Sequence, residues 1–298
     1  MVASGLVIGL ATGGYPAYSR EISQAALVVA MTFSLSEISF ARLSPRAELR
    51  GFLLSFGMSY GILSGLLLGF AMLSSEPFIR DGWIITAAVP PAVAVIPITG
   101  LLKGDTRRAL ISLALLYLAA LALVPGLTLL FVGRPLPVAD LAVQTTLLVG
   151  VPIVLSRALR KWRRVSDVRP AAVAVSFLFL VTAIAGSTRG ALFGNPGLVG
   201  SLAFLSVLRT FGLGILVLLG MRLLHTSRDV QIAATTFSSF KNLGLAVVLA
   251  FSFFEPAAAL PSIVSLVLEI LWLGTLPFLF PRSRVAPSGG SEEERGEG

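Results

Sequence analysis

Apolar residues run through this sequence in long blocks closed by Arg, Asp or Pro, and the polar positions between them form short clusters. Within the blocks apolar and polar residues do not alternate, which argues against the strands of a membrane barrel. The blocks fall at residues 2–13, 22–36, 51–73, 83–102, 109–132, 141–155, 171–186, 198–224, 230–251 and 262–280. A helix needs roughly 20 apolar residues to cross about 30 Å of hydrocarbon. The pattern therefore predicts an all-α protein of the lipid bilayer with about ten transmembrane helices and short loops. The block at 2–13 is short, so nine crossings remain open beside ten. Its surroundings, MVASGLVIGLATGGYP, lack a basic segment ahead of the apolar run and read as a short first span rather than a cleaved signal. Residues 282–298, RSRVAPSGGSEEERGEG, are polar and rich in Gly, Ser and Glu, which predicts a disordered tail.

Composition agrees with this pattern. Of 298 residues, 55% are hydrophobic and 13% charged, and the mean hydropathy is +0.90. The net charge of +8 raises the possibility of nucleic acid, but the placement of the basic residues removes it. Only Arg20, Arg80, Arg134 and Arg189 fall in the loops of one side, and Arg209 and Lys241 fall inside spans. Every other Lys and Arg lies in the loops or tail of the opposite side. That asymmetry is the positive-inside rule, and it predicts a multi-pass protein of the cell membrane with both termini cytoplasmic. There is no cysteine, and His225 is the single histidine, so thiolate and histidine-based metal or catalytic sets are not expected. No Walker, dinucleotide-binding or nucleophile-elbow pattern is present, so neither a cofactor nor an enzymatic activity is expected. Nothing in the pattern specifies an oligomeric state.

The blocks divide into two halves, residues 1–132 and 141–281, with five spans each. An odd number of spans per half gives the halves opposite orientations, the geometry of an inverted repeat. The fourth span of each half is interrupted. The first carries Pro90, Pro91 and Pro97 in VPPAVAVIP, and the second carries Ser238, Ser239, Lys241, Asn242 and Gly244 in FSSFKNLG. Prolines in membrane helices are often mere kinks. Matched interruptions in corresponding spans point instead to a central transport site.

Three ionisable residues lie well inside spans: Arg209, Lys241 and Glu269. Each costs about 2.5–3.5 kcal/mol on insertion scales, so each needs a partner, a water-filled cavity or a role. Lys241 reads as a fixed cation for an anionic substrate, as a proton carrier, or as half of a structural ion pair with Glu269. Arg209, midway along SVLRTFG, suits a cavity or an ion pair better than snorkelling. Together the three sum to +1, which favours an anionic substrate, as would helix N-termini at two breaks. Glu37 marks a span end, and Glu255 lies in the last loop. Trp83, Trp162 and Trp272 read as interfacial anchors or packing residues.

Three stretches carry a family resemblance. MTFSLSEISF, TAAVPPAVAVIPITGLLKGDTRRALISLAL and TFSSFKNLGLAVVLAFSFFEPAAALP resemble, in order along nearly the whole chain, segments of the bile acid:sodium symporter family. NLGLAVVLA is the most specific piece. Auxin-type efflux proteins and arsenite exporters are similar in wider architecture, although the exporters' cysteine is missing here. The resemblance implies a panel domain at 1–37 and 141–190 that moves against a core domain at 51–132 and 198–281, with broken helices four and nine crossing in the core.

The sequence departs from the family at its sodium ligands. The acid of the ninth helix falls at Phe237 and the Gln at Lys241, while Asn242 is kept. The Ser-Asn pair of the fourth helix falls at Val95 and Ile96, and the fifth span offers Ser112 and Tyr117. The eighth helix's His-Asn falls at Arg209 and Thr210, and a polar position of the tenth at Glu269. The resemblance implies alternating-access transport of a small organic anion. The residues imply that Lys241 stands in for a cation and that coupling is to protons or absent. The alternatives are a sodium symporter with backbone ligands, or a non-transporting membrane scaffold or sensor.

Overall fold

The computed structural model describes residues 1–36, 49–133, 137–162 and 164–281. Among them the chain is helical and contains no strand. In chain order the helices are α1 (Val2–Thr12), α2 (Ser19–Leu35), α3 (Leu49–Leu73), α4 (Pro77–Ala88), α5 (Val95–Leu101) and α6 (Thr106–Val132). They continue as α7 (Ala139–Leu159), α8 (Val165–Gly194), α9 (Pro196–Leu223), α10 (Arg228–Phe237), α11 (Leu243–Phe253) and α12 (Leu260–Leu279). Among the described residues, six helical stretches are long and apolar enough to cross a membrane: α3, α6, α7, α8, α9 and the run Pro256–Leu279 that ends in α12. The first block forms α1, whose 11 residues rise only about 16 Å at 1.5 Å each. Glu37 and the expected tail lie outside the described residues.

Local chemistry sets the boundaries. Gly13 takes a left-handed conformation (φ 81°) and its N–H caps the carbonyl of Gly9, closing α1. Pro77 opens α4 at a position where a missing N–H costs nothing. Pro90 and Pro91 follow its end; they offer no N–H and bias the preceding residue away from helix, so α4 stops at Ala88 and the chain restarts as α5. The side chains of Asp105 and Asn242 cap α6 and α11 by accepting the N–H of Arg108 and Leu245.

Packing gathers the helices around the two interrupted ones. α8 lies along α1 and α2, and α2 along α7. α4 is covered by α3, α6, α11 and α12, and α9 packs on α12. In a bilayer such packing rests on close contact rather than on the hydrophobic effect. At Gly82 of α4 an added Cβ would sit 2.2 Å from the carbonyl oxygen of Ala258, so only glycine lets α4 lie against the turn at Pro256–Ala259. Trp83 and Trp272 are fully buried packing residues, Trp83 edge-on to Phe70, whereas Trp162 is exposed.

Candidate functional site

The two breaks meet. Between α10 and α11 the chain leaves helical geometry at residues 238–242, and the N–H of Asn242 donates 2.8 Å to the carbonyl of Pro90 in the other break. Asn242 also works through its side chain. Its Oδ1 accepts the N–H of Leu245, and its Nδ2 donates 2.9 Å to the hydroxyl of Tyr117 on α6. One residue therefore joins both breaks and caps the helix that restarts. Pro97 and Gly244, expected in the breaks, lie just beyond them in the first turns of α5 and α11. In a first turn proline forfeits no intrahelical bond, so Pro97 does not itself interrupt the helix.

Lys241 reaches from its own break to the end of α4. Its ammonium donates to Ser64 Oγ at 2.9 Å, to the carbonyl of Ala87 at 3.0 Å and to that of Val89 at 2.9 Å. The ring of Tyr60 lies 4.3 Å from the same nitrogen. The last carbonyls of a helix lack intrahelical partners and carry the negative end of its dipole, so a cation there is satisfied by geometry and by charge. The Ser64 hydroxyl donates 2.6 Å to Ala87 O, which leaves its lone pair free to accept from the lysine. The site is dry: Lys241 is 1% exposed. Tyr60 and Ser64 belong to α3, where Gly57–Leu63 widens into a π-helical segment.

The expected ion pair between Lys241 and Glu269 is not formed by their side chains. Glu269 on α12 pairs instead with Arg209, which sits with Thr210 in a second π-helical segment, Leu208–Gly212 of α9. Arg209 also donates to the carbonyl of Ser239 at 3.3 Å and to Thr210 Oγ1 at 3.1 Å. Lys241 meets Glu269 only through its backbone N–H, 3.1 Å from Oε1. The physical reason is reach: the lysine side chain runs to α4, while α9 packs directly on α12 and brings the guanidinium to the carboxylate. The hydroxyls of Ser238 and Ser239 both bond back to the carbonyl of Thr235, and Ser239 Oγ also accepts from the indole N–H of Trp272.

A cavity of about 590 Å³ borders this arrangement. Leu27, Ala30 and Met31 of α2 and Val173 and Phe177 of α8 wall it on one side. Ala94, Pro97, Lys241, Asn242 and Glu269 wall it on the other, with Arg169 also at its lining. A wholly apolar cleft of about 180 Å³ shares Phe177, Leu243, Gly244, Leu266 and Ile270 with it. Three of the positions that the resemblance assigns to sodium ligands hold apolar side chains, Phe237, Val95 and Ile96, all buried in the core. Sequence reasoning missed Tyr60 and Ser64, although two polar residues four apart on one face of a mostly apolar span were a usable signal. It noted Tyr117 without a partner and read Trp272 only as anchor or packing.

Residues 26–192 match the model described as the Sodium Bile acid symporter family. The match includes the break at 89–94 and ends before the break at 238–242, so it does not reach NLGLAVVLA, the stretch read as most specific. No curated protein matches the chain.

Proposed function

We propose that this chain, which belongs to the sodium bile acid symporter family, is a secondary transporter that moves a small organic anion by alternating access with a lysine in place of a bound sodium ion. The observation that carries this reading is the ligation of the Lys241 ammonium by Ser64 Oγ and the carbonyls of Ala87 and Val89. A hard cation is held by oxygen atoms of this kind, and here the cation is covalently tethered. The carbonyls that a backbone-liganded sodium would use at this break are taken by the lysine, which disfavours that alternative.

Several features support the carrier architecture. With α4–α5 and α10–α11 each counted as one interrupted span, the halves hold five segments each, as an inverted repeat requires. The cavity lies between α2 and α8 of the proposed panel and α5, α11 and α12 of the proposed core. Its mostly apolar wall with a few polar groups suits an organic anion whose body is apolar. Lys241 and Glu269 line it, and with Arg209 buried behind them the three groups carry one net positive charge. The first turn of α11 adds the positive end of a helix dipole at Gly244. Both termini are assigned to the cytoplasmic face on the loop charges.

The test is uptake of a panel of labelled carboxylates into liposomes holding the purified protein, with and without an inward sodium gradient. Saturable uptake that ignores sodium is expected. Uptake stimulated by sodium in the native protein would overturn the reading.

A further inference from the structure

We infer that Glu269 is the proton-binding group of this carrier and that a proton and the organic anion bind together. The inference rests on the transport reading above and assigns its coupling. Lys241, the other candidate, has its three N–H bonds accounted for by Ser64 Oγ, Ala87 O and Val89 O, two of them carbonyls at a helix end. None of these three partners lines the cavity, so the ammonium is turned away from the water that could exchange its proton.

Glu269 is placed differently. Its Oε1 accepts from Arg209 and from the N–H of Lys241, and its side chain keeps 7% exposure where that of Arg209 keeps none. It also lines the cavity, so water there can deliver a proton. The charged groups that face it are Arg209 from α9 and Lys241 from the break, with Arg169 from α8 at the cavity lining. α11 carries no titratable residue. Arg80 and Asp81 of α4 lie in its first turns, ahead of Thr86, where α4 bonds Ser262 of α12. Among the described residues Glu269 is the only acid at the cavity.

The consequence is electrostatic. Ionised, Glu269 cancels one of the charges on Arg209 and Lys241 and leaves +1 on these three groups, beside Arg169 at the lining. Protonated, it leaves +2 and releases the guanidinium from its ion pair. An organic anion thus binds more tightly to the protonated carrier, and by linkage its binding draws the proton in to the same extent. Protonation also removes the charge that holds the N–H of Lys241, so the proton acts directly on the interrupted helix.

Infrared difference spectroscopy of the purified protein during a pH titration tests this without a transport assay. A carboxylic acid band that titrates in the native protein should persist in Lys241→Gln and be lost in Glu269→Gln. In liposomes, native anion uptake should rise at least tenfold with an inward acid gradient, while Glu269→Gln should bind the anion with no dependence on pH. A titrating band that survives Glu269→Gln, or pH-driven uptake unchanged in that variant, would overturn the inference. If Glu269→Gln does not fold, Arg209→Gln with Glu269→Gln removes both charges together, and the same band should be absent from it. A chain that moves no anion yet shows the Glu269 band would sink the transport reading and leave the proton site standing.

Discussion

The backbone N–H of Asn242 donates 2.8 Å to the carbonyl of Pro90, so the two interrupted helices are joined by a hydrogen bond between residues 152 positions apart. Each break exposes backbone groups that lipid cannot satisfy, and here each supplies part of what the other lacks. Asn242 then uses its side chain to cap α11 and to hold Tyr117. Asn242→Ala should lower stability by about 2 kcal/mol, combining a lost cap and a lost buried hydrogen bond. Tyr117→Phe removes only the second and should cost about half as much. Thermal unfolding of the two variants in detergent checks the ordering.

Lys241 standing in for a bound ion predicts that its removal creates an appetite for one. In Lys241→Gln the carbonyls of Ala87 and Val89 lose their cation. Sodium should then stabilise the variant, by about 1.4 kcal/mol at about ten times its Kd, and leave the native protein unmoved. Melting curves in sodium against choline buffer measure this, and equal response of both proteins would contradict the tethered-cation reading.

The pair Arg209 and Glu269 is buried in the membrane-spanning part of the protein. Removing one partner strands a charge, which typically costs about 3–5 kcal/mol, whereas removing both costs less. Arg209→Leu alone should therefore be less stable than Arg209→Leu with Glu269→Leu. A double-mutant cycle on unfolding midpoints gives the coupling, and additive effects would mean that the ion pair does not hold α9 to α12.

Gln24 on α2 donates to Ser252 Oγ on α11 at 3.0 Å and to Gln144 Oε1 on α7 at 3.3 Å. These bonds tie α2 to α11 at the ends of the helices remote from Arg169 and Pro97, where the cavity is lined. If the carrier alternates access as proposed, Gln24→Ala should weaken this tie by about 1 kcal/mol and shift the population about fivefold toward opening on this side. A single cysteine at Val28, one turn deeper on α2 and placed on a cysteine-free background, should react correspondingly faster with a polar thiol reagent.

Gly82→Ala should destabilise the protein by several kcal/mol, because its Cβ would meet the backbone of Ala258 at 2.2 Å rather than a movable side chain. A neighbouring change such as Gly69→Ala, where nothing lies within 4 Å, should be near neutral in the same melting assay.

The sequence by itself determined the helical class, the approximate boundaries and the two interruptions, because these depend on local properties. An apolar run must be long enough to span a bilayer, and proline or a Ser/Lys/Asn/Gly cluster interrupts it wherever it lies. It also singled out Arg209, Lys241 and Glu269, since a charge inside an apolar run is costly in any fold. Which charge meets which was decided only by tertiary structure. The choice of Arg209 for Glu269, and of Ala87, Val89 and Ser64 for Lys241, depends on how α3, α4, α9 and α12 pack. Tyr117 and Tyr60 became part of the site for the same reason. A buried polar group takes the partner that packing brings within about 3 Å, and no one-dimensional pattern carries that distance.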